Sequence, residues 1–196
     1  MSRGSETEIK LEVPNLAALH RRLRQIGFRK VQARHFESNT AFDFPDHRLW
    51  KARSLLRLRW ADGQWLLTYK CNPLESRGYK VRREIETRVE DGEQIREILE
   101  ALGLRPAFRY EKYRTTYAVK TQERQAAGPL LVLDETPVGN YLELEGPKRW
   151  IDRVAGQLGY RREDYVTASY GSLYRQKCAQ QGIEPTNMVF SGVKSW

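Results

Sequence analysis

Cysteine is scarce in this chain. Cys71 and Cys178 are the only two among 196 residues, and they stand far apart. A disulfide framework is therefore excluded, and a reducing compartment, the cytoplasm, is expected. Histidine is equally thin: His20, His35 and His47 show no metal-ligand spacing and read as surface or packing residues. Long apolar runs are missing as well. No stretch approaches the length of a membrane span, and the N-terminus lacks a signal-peptide pattern, so no membrane partner is expected.

What is present is a core and an unusual amount of charge. Hydrophobic residues make up 40% of the chain, enough to bury one sizeable core, so a single domain over residues 1–181 with a tail over 182–196 is expected. Charged residues make up 30% and the net charge is +9, which favours an anionic partner. The excess forms no block or tail. Arginine is interleaved with glutamate, which argues against a polybasic arm for nucleic acid.

The interleaving has a period. Glu6, Glu8 and Lys10 alternate with Thr7, Ile9 and Leu11, which predicts a β-strand with a charged face and an apolar one. Carboxylates at this spacing suit a hard cation such as Mg²⁺, and the lysine suits the phosphates such a cation accompanies. The unit recurs. Glu6-x-Glu8 precedes a helix-like segment from Leu16 to Ile26 and then Gly27. Glu84-x-Glu86 precedes Ile95, Ile98, Leu99 and Leu102 and then Gly103. Glu143-x-Glu145 precedes Trp150, Ile151, Val154 and Leu158 and then Gly159. Each strand gives way to an amphipathic helix capped by glycine, with Asn15 an N-cap for the first.

Further strands are expected at Leu55–Trp60, Trp65–Lys70, Tyr79–Glu90, Phe108–Val119 and Leu130–Thr136, with a hairpin turn at Asp62-Gly63. Cys71–Gly78 and Lys120–Pro129 read as loops, residues 168–181 as a last helix, and Gly182–Trp196 as an irregular tail. The fold class is α+β, mostly antiparallel strands with a few helices.

The polar faces collect Glu6, Glu8, Glu84, Glu86, Asp134, Glu143 and Glu145 with Lys10, Arg57, Arg59, Lys70, Arg82, Lys112 and Arg114. A sheet wetted by solvent is the ordinary source of such alternation. These faces differ in carrying charges of both signs, while the opposite apolar faces demand a cover of helices. A sheet covered outside by helices and curled on itself turns its charges inward, and about eight strands close such a barrel around one small ligand. So many enclosed charges must pair, stay hydrated, or meet ions and a polyanion.

These residues resemble the CYTH proteins, also called triphosphate tunnel metalloenzymes, whose members include class IV adenylate cyclases, thiamine triphosphatases, inorganic triphosphatases and fungal-type RNA triphosphatases. The family's E-x-E-x-K strand is matched by Glu6, Glu8 and Lys10. Its later strands are matched by Arg57 and Arg59, Lys70, Glu84-Ile85-Glu86, Lys112-Tyr113-Arg114, Asp134 and Glu143-Leu144-Glu145, in order over roughly residues 5–175.

The resemblance implies an eight-stranded antiparallel tunnel that threads a triphosphate. It implies Mg²⁺ or Mn²⁺ on Glu6, Glu8, Asp134, Glu143 and Glu145. Phosphate would be held by Lys10, Arg57, Arg59, Lys70, Lys112 and Arg114, with Arg82 a weaker candidate. Glu84 and Glu86 would position basic side chains or join the metal shell, and Glu6, Glu8 and Lys10 would be the catalytic set. Two positions depart from the family. Where thiamine triphosphatase-like members carry Tyr-Tyr-Asp or Tyr-Phe-Asp, this chain has Asn39-Thr40-Ala41-Phe42-Asp43, and a lysine near the C-terminal helix is replaced by Ser169 or Tyr170. Both argue against thiamine triphosphate and leave the metal cage intact.

The function expected first is hydrolysis of a triphosphate. An adenylate cyclase is the alternative within enzymes, and a non-catalytic polyphosphate or nucleotide binder the alternative outside them. A nucleic-acid protein would need its bases on an outer face. The partner expected is a triphosphate-containing small molecule, and a homodimer is an option.

Overall fold

The computed structural model describes residues 6–76, 78–119 and 128–191. Its elements run β1 (Glu6–Glu12), α1 (Leu16–Gln25), β2 (Phe28–Asp43), α2 (Arg48–Lys51), β3 (Leu55–Ala61), β4 (Gln64–Lys70), β5 (Leu74–Ser76), β6 (Tyr79–Arg82), β7 (Glu84–Val89), α3 (Gly92–Ala101), β8 (Arg105–Val119), β9 (Leu130–Thr136), β10 (Gly139–Glu145), α4 (Lys148–Gln157) and α5 (Tyr170–Gln181), with a 3₁₀ turn at Arg162–Asp164. The expected loop at Lys120–Pro129 lies almost wholly outside the described residues.

The three strand-then-helix units end alike. Gly27, Gly103 and Gly159 follow α1, α3 and α4 with φ of 89°, 92° and 90°, a left-handed conformation that costs glycine little. Asn15 caps α1 through Oδ1, which accepts from the Ala18 N–H at 2.9 Å. Gly92 opens α3 against Trp65, where a Cβ would lie 2.1 Å from the indole ring. Asp62 and Gly63, with φ of 49° and 73°, turn β3 into β4.

All ten strands join one antiparallel sheet in the order β5-β6-β1-β10-β9-β8-β2-β3-β4-β7. Eight strands were expected, seven of them assigned to segments with β2 the unassigned eighth, and ten form, for two reasons. The run expected as one strand over 79–90 breaks at Arg83: β6 pairs with β1, while β7 pairs with β4. The expected loop at 71–78 contributes β5, which pairs with β6. Among the described residues no ladder joins β6 to β7, so the barrel is nearly closed, its last gap crossed by the chain itself at Arg83.

Helices cover the outside. Ile9, Leu11, Leu131, Leu133, Leu142 and Leu144 are fully buried beneath Leu19 and Leu23 of α1 and Ile151 and Val154 of α4. Each such side chain contributes about 1.5–3 kcal/mol on burial. A second cluster sets Phe42 and Leu58 under Leu99 of α3 and Leu49 of α2. A third closes one end of the barrel, where Tyr170, Tyr110, Tyr141 and Val138 surround Met188 of the tail. The tail runs beside β8: the Met188 N–H donates to Arg109 O at 3.0 Å, and the Glu111 N–H donates to Met188 O at 2.9 Å. Because these covers claim the apolar parity of most strands, the charged parity faces inward.

Candidate functional site within the barrel

Register decides which charges meet. On one side of β1, Glu8 stands opposite Glu145 and Lys10 opposite Glu143 of β10; on the other, Glu6 stands opposite Arg82 and Glu8 opposite Lys80 of β6. Arg114 of β8 is opposite Asp134 of β9, and Lys112 is opposite Glu37 of β2. Thr68 of β4 lies between Arg57 of β3 and Glu86 of β7, and Lys70 lies opposite Glu84. All fourteen residues singled out from the sequence line the interior. Glu86 is the most open, its side chain 30% exposed.

Most are tied into one chain of ion pairs. Lys80 meets Glu8 at 2.8 Å, Lys10 meets Glu8 at 3.9 Å and Glu143 at 3.3 Å, and Glu143 accepts from Arg114 at 2.6 Å. Arg114 also donates from Nε and Nη2 to Asp134, each at 2.7 Å, and Lys112 donates to the same carboxylate at 2.8 Å. Lys112 meets Glu37 at 3.4 Å, Arg59 meets Glu37 at 3.6 Å, and Arg59 and Arg57 meet Glu86 at 3.1 and 3.5 Å. Lys70 pairs with Glu84, as does Arg82 at 3.6 Å.

The interior acids are Glu6, Glu8, Glu37, Glu84, Glu86, Asp134, Glu143 and Glu145. The bases, equal in number, are Lys10, Arg57, Arg59, Lys70, Lys80, Arg82, Lys112 and Arg114. The net charge of +9 therefore belongs to the rest of the chain.

Balance in sum hides imbalance in place. Burial works against the ionised form of Glu8, Glu37 and Glu143, yet the cations beside them outweigh it and hold each carboxyl below its usual range. Glu6 and Glu145 go the other way. Burial, with Glu145 and Glu84 nearby, pushes Glu6 up to about 8. Burial, with Glu8 nearby, pushes Glu145 up to about 7. Neither makes an ion pair among the described residues.

Acid thus concentrates on β1, β7 and β10. Taking β6 and β7 as one continuous wall, β2 lies directly across the barrel from β1. Among the described residues, no three His, Cys, Asp or Glu side chains converge tightly enough to hold an ion as they stand. Asp134 is engaged by Lys112, Arg114 and the Tyr170 hydroxyl, which donates at 2.8 Å. The all-oxygen, unpaired set of Glu6 and Glu145 beside Glu8 nevertheless suits a hard divalent cation.

Several interior residues were not anticipated. β2 as a whole was missed, because register shifts at Lys30/Gln32, Gln32/His35 and Ala41/Phe42 break the alternation that reveals a strand. With it went Glu37, Asn39 and His35, whose Nε2 lies 3.5 Å from Glu37. That contact, outweighing burial, raises the His35 pKa, and with its side chain 11% exposed this histidine sits at the edge of the charged lining. Lys80 was visible on the even parity of its strand, and burial lowers its pKa to about 8. Tyr110 accepts from Arg57 at 3.4 Å. Tyr170, at a position noted only as a departure, enters the interior, with the Lys10 and Lys112 ammonium groups 5.1 and 5.4 Å from its ring centre. A cleft of about 560 Å³ also lies outside the barrel, between the outer face of β2 and β3 and residues 185–187, and takes no part in the charged set.

The sequence model of the CYTH domain matches residues 4–170, and the chain belongs to that family. A Methanocaldococcus jannaschii protein provisionally named an adenylate cyclase is 30% identical over 140 residues, covering 71% of this chain and 75% of the relative. Among solved structures, a Vibrio parahaemolyticus protein provisionally named an adenylate cyclase superposes with a TM-score of 0.74 at 20% identity, covering 88% of this chain and 98% of the other. A Hippeastrum protein, described as a provisional adenylyl cyclase with a dominant triphosphatase activity, gives 0.59 at 22% identity over 92% and 97% of the two chains. At these identities the structural matches establish the fold.

Proposed function

We propose that this chain binds a triphosphate inside its barrel and hydrolyses it, acting on inorganic tripolyphosphate or an organic triphosphate. The observation that carries the reading is the split lining: fixed cations on one wall, and on the other two carboxylates, Glu6 and Glu145, with raised proton affinity and no ion pair among the described residues. A triphosphate escorted by a divalent cation satisfies both walls together.

Lys10, Arg57, Arg59, Lys70, Lys112 and Arg114 bind phosphoryl oxygens in this reading, with Arg82 at the edge of the set. Arg57 and Arg59 offer paired donors that a lysine cannot, and Glu86 and Thr68 hold the Arg57 guanidinium in place. Glu84 does the same for Lys70 and Arg82. Mg²⁺ or Mn²⁺ would be held by Glu6, Glu8 and Glu145, with Asp134 and Glu143 joining where phosphate draws Lys112, Arg114 and Lys10 away from them. When bound, such an ion polarises phosphoryl oxygens and supplies an activated water. The protein's own part is positioning and preset charge, which carry most of phosphoryl transfer.

The name of the Methanocaldococcus relative favours a second reading, cyclisation of ATP with loss of pyrophosphate. The same lining would serve, and the group entering beside the triphosphate would decide. One panel separates the readings: tripolyphosphate, ATP and thiamine triphosphate, each with Mg²⁺ or Mn²⁺, assayed for phosphate, pyrophosphate and cyclic AMP. Phosphate alone supports hydrolysis, while pyrophosphate with cyclic AMP supports the cyclase. Binding without any product leaves a polyphosphate or nucleotide binder. The cytoplasm is the compartment we propose, from two cysteines that are both free. Among the described residues no helix is long and apolar enough to cross a membrane.

A further inference from the structure

Asn39 is wholly enclosed, with 0% of its surface exposed, yet neither Nδ2 nor Oδ1 has a hydrogen-bond partner among the described residues. Since both atoms are orphaned, the result does not depend on which way the amide is turned. Its place in the ladder is fixed: Asn39 of β2 stands opposite Arg59 of β3 on one side and Tyr110 of β8 on the other. Directly opposed residues set their Cβ atoms about 4.5–5.5 Å apart. Asn39 shares inward parity with Glu37, so its amide enters the charged interior.

The neighbours' engaged polar groups point elsewhere. Arg59 is drawn to Glu37 and Glu86, and the Tyr110 hydroxyl is held by Arg57. The Nε atoms of Arg57 and Arg59 and one oxygen of Glu37 lack hydrogen-bond partners too, so unsatisfied groups concentrate on β2 and β3. A buried amide without a partner carries the full cost of losing water. Burying an apolar residue of that size would carry none, so packing alone gives no reason for an amide here.

We propose that Asn39 is a substrate-binding residue, donating from Nδ2 to a phosphoryl oxygen of the bound triphosphate on the wall facing the acidic strands. The inference rests on the triphosphate reading above and adds a neutral donor to the cationic set. Arginines and lysines attract any anion. A short amide between Arg59 and Tyr110 instead requires an oxygen at one place, so it serves register of the phosphate chain more than general affinity. Oδ1 remains open to a bound water.

The test uses imidotriphosphate, the nitrogen-bridged tripolyphosphate that resists hydrolysis, titrated calorimetrically with Mg²⁺ into the full chain and its Asn39→Ala, Asn39→Ser and Arg57→Ala variants. Thermal unfolding of each ligand-free protein is recorded alongside. Binding to Asn39→Ala is expected to weaken roughly ten- to hundredfold, the range for a hydrogen bond to a charged group. Its ligand-free melting temperature is expected to stay level or rise, because an unsatisfied group has been removed.

If Asn39→Ala binds as the parent does while Arg57→Ala does not, the triphosphate reading stands and the Asn39 inference falls. If affinity and ligand-free stability fall together, or both Asn39 variants fail to fold, the amide is structural and the inference is overturned. If the parent binds no imidotriphosphate, the functional reading fails and takes the inference with it.

Discussion

On β2, β3, β8 and β9 each interior carboxylate lies against cations. Glu37 has Lys112 and Arg59 within 3.6 Å, and Asp134 has Lys112 and Arg114 within 2.8 Å. On β1, β7 and β10 the same side-chain types are distributed differently, and Glu6 and Glu145 face other acids with pKa values of about 8 and about 7. On the first wall every carboxylate is paired with cations, and those pairs are costly to break because removing one partner strands a desolvated charge. The second stores repulsion that only a bound cation or a proton relieves. A single lining can therefore pair its charges on one wall, where they hold the scaffold and present preset cations to phosphate, and leave carboxylates without cations on the other.

The contrast can be broken most forcefully by Glu8→Gln, which removes charge from the acidic wall. Metal-dependent turnover is expected to fall at least ~100-fold, with the circular dichroism spectrum of the fold retained. Full activity in that variant would remove Glu8 from the metal set.

Next in size is a pair of stability measurements by urea denaturation. Arg114→Leu removes the guanidinium that Asp134 and Glu143 share, leaving them only the cations of Lys112 and Lys10, and is expected to destabilise by ~3–5 kcal/mol. Glu145→Leu at pH 8 is expected to be neutral or stabilising while lowering activity, since it removes a repelled charge. Equal losses in the two variants would erase the distinction between the walls.

The pH dependence is subtler. Folded Glu6 and Glu145 bind protons more tightly than their ordinary value of 4.5 allows. Between about pH 4.5 and 8 the folded chain thus holds more protons than the unfolded one, and this pair lowers stability as pH rises. Above pH 8 Lys80 contributes with the opposite sign, because its folded pKa of about 8 lies below the usual 10.5. Mn²⁺ should therefore raise the melting temperature more at pH 8 than at pH 6, and its calorimetric binding should release protons within that window. Equal shifts at both pH values would place the cation elsewhere.

The smallest effect belongs to the rim. Glu86→Gln, at a side chain 30% exposed, is expected to cost under ~1 kcal/mol in the same urea assay. A larger loss would make Glu86 part of the scaffold wall.

Much of this arrangement is legible in the amino-acid sequence. Alternation exposed the inward parity of β1, β3 and β10, where apolar neighbours such as Ile9, Leu58 and Leu144 had to face a core, and Thr68, Lys70, Lys112, Arg114 and Asp134 marked it on β4, β8 and β9. The glycines after three helices were equally plain. β2 escaped because its bulges shift parity midway, and with it went Glu37, Asn39 and His35. The single strand read over 79–90 was wrong at Arg83, where the chain leaves β1 for β4, an exchange of partners that no local pattern announces.

Alternation and composition determined that an apolar face and a charged face exist on most strands, because side chains in a strand point to opposite sides by geometry alone. Which charges pair, which stay unpaired, and where β6 hands over to β7 depend on register between strands far apart in the chain. Glu8 beside Glu145, and Asn39 between Arg59 and Tyr110, are juxtapositions that only closure of the sheet creates. Electrostatic energy in an enclosed space is set by such distances and not by the order of residues.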